Sequence, residues 1–201
     1  MHGRAIARFW YNTHMKVTLF ALSLSLLTGC LTATVPDVSY WTVTSPEASV
    51  PAATNKFGAV RISQVLVRAP YDSRSLVVRR ADGSLAFDAY NHFAALPSQL
   101  FKAPIIAAIS RSGLCTIAVD ASSSVRTDFQ AEAVVTDLAL TATPSGTLKA
   151  NVAVLIRMLD RQRALASVAS GVGEADVTDG SYTDAFSAAF GTAIRKALSD
   201  L

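Results

Sequence analysis

The sequence predicts an α+β fold: a single domain with a mostly antiparallel or mixed β-sheet packed against two main helices. Three observations carry this expectation. Short runs rich in Val, Ile and Thr, bounded by turn residues, recur between residues 59 and 168. Near the C-terminus, Tyr182, Ala185, Phe186, Ala189, Phe190, Ala193, Ile194, Ala197, Leu198 and Leu201 repeat at i, i+3, i+4 and i+7, the apolar face of a helix over about 181–200. Strands and helices do not alternate as regular βαβ units, which sets aside a doubly wound sheet.

In chain order, Tyr40-Trp41-Thr42-Val43 is a short β-prone run. Residues 45–56 hold Pro46 and Pro51 and read as loop. Ala59-Val60-Arg61-Ile62 and Val65-Leu66-Val67 read as strand, Ala69-Pro70-Tyr71-Asp72 as a turn, and Ser75-Leu76-Val77-Val78-Arg79 as a second strand. Asp82-Gly83 is a hairpin turn leading to Leu85-Ala86-Phe87. A helix is expected from about Pro97, with Leu100, Phe101, Ile105, Ala108 and Ile109 on one face. Pro104 should kink or break it, and Ser112-Gly113 should end it. Three strand-like segments follow, 114–120, 128–141 and 147–159, the last two joined by a Pro144-Ser145-Gly146 hairpin. A final strand is expected over about 164–168, and Ser181 with Asp184 is a capping-box start for the terminal helix.

Of 201 residues, 51% are hydrophobic and 16% charged, enough apolar chain for a real core. The formal charge of +3 is misleading, because residues 1–29 carry Arg4, Arg8 and Lys16 and no acid. Without them 15 Lys+Arg face 15 Asp+Glu, a balance that argues against a nucleic-acid binder. The same segment holds His2 and His14, so His92 is the one histidine beyond it. With only Cys30 and Cys115 besides, neither a His/Cys metal site nor a disulfide framework is expected, and no resident cofactor is.

The most specific signal is Leu27-Thr28-Gly29-Cys30, preceded by Lys16 and the apolar run Val17 to Leu27. A positive start, a short apolar run and small residues before the cut describe a secretory signal peptide over 1–29. The run is shorter than the roughly 20 residues a membrane-spanning helix needs. With Cys directly after Leu-Thr-Gly, the segment resembles a bacterial lipoprotein signal, the lipobox. That resemblance implies cleavage before Cys30, a diacylglyceryl thioether on its sulfur and an N-acyl chain such as palmitate on its amine, which together anchor stably. Met15-Lys16 is the expected true start, with a long n-region from Met1 as the alternative. Leu31 is not Asp, and by the rule for enteric lipoproteins this points to the outer membrane, periplasmic face, with inner-membrane anchoring left open. Residues 30–57 then comprise the lipidated Cys, a tether and the first short strand, and 58–201 the main α+β domain. Cys115, left without a partner, is expected as a buried structural thiol.

No G-x-x-x-x-G-K-[ST], G-x-S-x-G, H-E-x-x-H or C-x-x-C occurs. Gly171-Val172-Gly173 is only a fragment of a nucleotide-binding pattern. His92, in Tyr90-Asn91-His92-Phe93 beside the expected helix start, is the available imidazole base, and reads first as a surface or capping residue. One charge feature stands out: Arg61, Arg68, Arg74, Arg79 and Arg80 against Asp72 alone. Strand alternation can gather such residues into a basic patch for lipid headgroups or an acidic partner, or leave them as separate solvated positions.

With these residues in hand, the chain resembles the ABC-type transport auxiliary lipoproteins, the PqiC/YmbA-like components of MCE lipid-transport systems. The resemblance spans roughly 27–201. It rests on the lipobox, on Tyr40-Trp41-Thr42-Val43, on the run from Val65 through Pro70-Tyr71-Asp72 to Arg79-Arg80, on Phe87-Asp88-Ala89-Tyr90-Asn91-His92-Phe93 where the family opens a helix, and on the closing Ala/Leu-rich helix. It implies a non-enzymatic subunit serving a transporter of lipids or hydrophobic compounds. The implied partner is an MCE-domain protein with ABC permease and ATPase subunits, and a homo-oligomeric ring is a further implied assembly. Arg68, Tyr71, Arg74, Arg79 and Arg80 are the expected partner- or lipid-binding residues. Two other readings stand beside it: a stand-alone lipoprotein that binds a small apolar ligand or regulates cell-wall synthesis, and a hydrolase using His92.

Overall fold

Alternation and spacing place the apolar residues on one side of each strand and helix, and the architecture follows from joining those sides. The computed structural model describes residues 36–44 and 55–201. The signal segment, Cys30, most of the tether and the loop over 45–54 lie outside the described residues. Eight strands form one mixed sheet: β1 (Ser39–Trp41), β2 (Phe57–Val67), β3 (Ser75–Arg79), β4 (Leu85–Phe93), β5 (Cys115–Asp120), β6 (Phe129–Ala142), β7 (Leu148–Leu159) and β8 (Leu165–Asp176). The helices among the described residues are α1 (Pro97–Leu100), α2 (Lys102–Arg111) and α3 (Tyr182–Ser199).

The long strand β6 organises the sheet. Along one edge it pairs in parallel with β2 through its first half and with β3 through Leu140 and Thr141. Along the other it meets β7 in an antiparallel hairpin, and β7 meets β8 the same way. The outer pairs are β2–β5 and β1–β4, both parallel, and β3–β4, antiparallel. Both expected hairpin turns form, with Gly83 and Gly146 each at φ +83, a conformation glycine adopts without penalty.

The core lies between the sheet and the helices. Along β6, Ala131, Ala133 and Val135 point inward; one extra residue, Thr136, bulges out, and Leu138 and Leu140 then resume the inward row. Beside it β7 contributes Ala150, Val152, Val154, Ile156 and Met158. Phe93 meets Phe186 of α3 with ring centroids 5.4 Å apart, and Phe101 meets Phe190 at 5.1 Å. Half of the capping box forms: the Ser181 Oγ accepts from the Asp184 amide, but the Asp184 carboxylate accepts from the Ser181 hydroxyl while the Ser181 amide donates to the Thr178 carbonyl. Cys115 is buried, donates weakly to the Ile109 carbonyl, and burial pushes its thiol pKa up.

Three local expectations change. The two strand runs around residues 59–67 are one strand, β2, with an irregularity between Ile62 and Gln64. Residues 87–93 do not open a helix: they continue β4, because their amides are tied to β3 and β1 before the chain reaches Pro97. The last strand runs on to Asp176, well past residue 168, so Gly171-Val172-Gly173 is strand interior. A Cβ at Gly171 would lie 1.9 Å from the Ala193 carbonyl oxygen, and one at Gly173 2.0 Å from that of Ala189, so the glycines let α3 sit directly on β8.

Candidate functional site on the open face of the sheet

All three helices among the described residues cover one face of the sheet, and the other face carries the chemistry. Alternation sends Trp41 and Phe93 toward α3 and therefore Tyr40 and His92 away from it. By the same rule Ser75, Val77 and Arg79 of β3 face away from the helices, as do Val134 and Asp137 of β6, Leu155 of β7 and Val172 of β8.

At one end of this face is an open cleft of about 280 Å³ lined by Tyr40, Ser73, Arg74, Ser75 and His92. Strand pairing builds it: Tyr40 is opposite His92 and His92 is opposite Ser75, so three strands deliver three side chains in a row. The His92 Nε2 lies 3.1 Å from the Ala89 carbonyl, which can only accept, so in the neutral ring Nε2 carries the proton. Nδ1 is then the acceptor for the Ser75 hydroxyl, 3.2 Å away. The Arg74 guanidinium lies 5.5 Å from the Tyr40 ring centroid, a cation–π contact. It also donates from Nε to the Phe93 carbonyl (3.4 Å) and from Nη2 to that of Ala94 (3.3 Å). Ser73 accepts the Ser75 amide at 3.2 Å. A Ser–His contact is half of a nucleophilic dyad, but here a backbone carbonyl, not a carboxylate, orients the imidazole.

Further along the face, Arg79 donates to Asp137 at 2.7 Å and to the Tyr71 hydroxyl at 3.0 Å. These contacts, the Asp137 hydrogen bond first, raise the guanidinium pKa. The knot closes the gap where the chain leaves β6 between β2 and β3. In the loop between β2 and β3 that carries Tyr71, the adjacent Asp72 accepts the Ser98 amide at 3.0 Å.

A small apolar patch lies on the same face, among polar and charged neighbours. Leu66, Val134 and Leu155 are cross-strand neighbours on β2, β6 and β7, and Val168 and Val172 extend the patch onto β8. Leu66 is 45%, Val168 48% and Val172 56% exposed. Arg157, 3.8 Å from Glu132, borders the patch on one side.

The structure divides the five arginines instead of gathering them. Arg61 reaches the Val125 carbonyl at 2.6 Å, Arg74 belongs to the cleft and Arg79 to the knot with Tyr71. Arg68 and Arg80 are exposed, and neither side chain has a hydrogen-bond or ion-pair partner among the described residues. As site residues, Tyr40, Ser73 and Ser75 escaped the sequence reading. The alternation Ser75-Val77-Arg79 was visible, but the register that sets Ser75 opposite His92 was not. Among the described residues no group of His, Cys, Asp and Glu could hold a metal ion, and no helix is long and apolar enough to cross a membrane.

No family model and no curated protein matches the sequence. Solved structures do match in shape. Protein XCC0632 of Xanthomonas campestris, a DUF330 protein, superposes with a TM-score of 0.54 at 14% identity, over 83% of this chain and 91% of that one. An uncharacterized protein follows at 0.50 and 18% identity, over 78% of this chain and 90% of the other. A PelC dodecamer from Paraburkholderia phytofirmans reaches 0.40 at 15% identity, over 76% and 93%. The first two establish a shared fold; the third departs too far in shape to add to that.

Proposed function

We propose that the chain is a lipid-anchored, non-enzymatic subunit of an MCE/ABC-type envelope transporter for lipids or hydrophobic compounds. Lipid on Cys30 holds the domain at the periplasmic face of the outer membrane, and the open sheet face receives the MCE partner. The observation that carries the reading is that face. Helices cover one side of the sheet, while the other presents exposed Leu66, Val168 and Val172, with exposed Arg68 in the same region. Exposed apolar groups contiguous over several strands mark interaction surfaces, and arginine is enriched at their energetic centres. The lipobox at Leu27–Cys30 and the run from Val65 to Arg80 support the family assignment, and a fold shared with a DUF330 protein is compatible with it. A ring of copies is part of the same proposal.

The test is a mild-detergent pull-down of the tagged, lipidated full chain, with partners identified by mass spectrometry. An MCE-domain protein is the expected partner; its absence even after crosslinking overturns the reading. In parallel, Cys30→Ala should leave a folded domain in the soluble periplasmic fraction. Its persistence in the membrane pellet would sink the anchor.

A further inference from the structure

The cleft between β1, β4 and the start of β3 has an unbalanced charge. Its lining is one guanidinium, one imidazole and three hydroxyl-bearing side chains, with no carboxylate. Arg74 makes no ion pair to any acid among the described residues. Its Nε and Nη2 are fixed on the Phe93 and Ala94 carbonyls, which aims the group while leaving Nη1 without a partner there. Because Ser73 Oγ accepts the Ser75 amide, its own hydroxyl proton is free to donate. A guanidinium aimed by two backbone carbonyls beside free hydroxyl donors is a donor set that suits a tetrahedral oxyanion.

We infer that this cleft binds a phosphate group, and that protonation of His92 strengthens the binding. In the neutral ring, Nδ1 takes the Ser75 hydroxyl proton and Nε2–H is spent on Ala89. When the ring gains a proton, Nδ1 becomes a donor. Ser75 Oγ must then accept from it, and the Ser75 hydroxyl proton turns into the cleft. One protonation thus adds a positive charge and a hydrogen-bond donor together. The groups around the ring permit this. Tyr40 from β1 lies 6.1 Å away, centroid to centroid, and Arg74 comes from the segment before β3. Asp88, on β4 itself, accepts from the Tyr90 and Asn91 amides and the Asn91 side chain, so it makes no hydrogen bond to the ring and acts on His92 through its charge alone. The phosphate can be free or the headgroup of a phospholipid; the cleft recognises the chemistry the two share. This site stands whether or not the domain serves a transporter.

The test uses the full chain in a non-ionic, phosphate-free detergent, with the His92 ring proton resonance followed by NMR and assigned by its loss in His92→Gln. Saturating inorganic phosphate should move the midpoint of the His92 titration upward by about 0.5 pH unit. By linkage, that is about threefold tighter binding to the charged ring. Chloride at matched ionic strength should not reproduce the shift, and Arg74→Gln should abolish it. Because Arg74 also ties down two backbone carbonyls, Ser73→Ala is the second variant, expected to fold and to weaken phosphate binding. A short-chain phosphatidylglycerol, monomeric in solution, separates the sources. A shift with both ligands assigns recognition to the phosphate group alone, and a shift with the lipid only assigns it to the headgroup. No shift with either, an equal shift with chloride, or a shift that survives both Arg74→Gln and Ser73→Ala overturns the proposal.

Discussion

Two glycines in the last strand set how closely its helix approaches. Gly171 and Gly173 lie under α3, and the atoms a methyl group would strike are backbone atoms of Ala193 and Ala189, which cannot rotate away. Overpacking of this kind forces a backbone shift. The expected cost of Gly173→Ala is about 3 kcal/mol, or a fall of roughly 10 °C in Tm for a domain of this size. Val172→Ala, between them but on the open face, should cost far less because Val172 is 56% exposed. Thermal unfolding of the two variants side by side decides this; equal losses would mean that α3 yields without strain. These glycines also show where local sequence misleads. As a Gly-x-Gly pattern they imitate part of a phosphate loop and interrupt a strand, and only the neighbouring helix gives them their structural purpose.

The bent helix α1–α2 shows how one residue shapes an element and another compensates it. Pro104 sits in the first turn of α2, where its missing N–H matters least. Its ring nevertheless excludes the Leu100 carbonyl, so the helix is interrupted at Phe101, a turn before the proline instead of at it. Lys102 therefore occupies the positive end of a new helix with no acid in its first turn, an unfavourable position. Asp120 at the end of β5 answers it with an ion pair at 2.7 Å. The Lys102 hydrogen bond, followed by those from the Ser122 amide and hydroxyl, lowers the Asp120 pKa to about 2. Since the folded-state value is depressed, the stabilisation is complete above the usual carboxylate range near about pH 4 and vanishes as the pH falls through that depressed value. Asp120→Asn should accordingly be less stable than wild type at neutral pH, and the gap in urea midpoint should close between about pH 4 and pH 2. A gap that stays constant across that window would assign the effect to something other than the charge. Hairpin turns, the Ser181 cap and the α3 stripe were legible because each is written within a few residues. The Lys102–Asp120 pair and the extension of β4 to Phe93 were not, because they depend on which strands become neighbours.

Across the whole molecule, the two sides of the sheet answer to different demands. Valines close together on adjacent strands test this, since alternation sends them to opposite sides while their backbone setting is nearly the same. Val152 is fully buried against the helices, whereas Val172, on the adjacent strand, faces the open side. A lysine at Val152 would place an unpaired charge in the core, which costs several kcal/mol and should prevent folding. Lysines at Leu66 and Val172 remain in contact with water, so their stability cost should be about 1 kcal/mol or less, as for surface substitutions generally. If the open face receives the MCE partner, the double variant Leu66→Lys/Val172→Lys should remain anchored, with near wild-type Tm, yet lose the partner in the pull-down, because each charge would have to be desolvated at the centre of the interface. Retention of the partner by this folded double variant would move docking off the sheet face. Arg68 and Arg80, both exposed, would then be the next surface to alter.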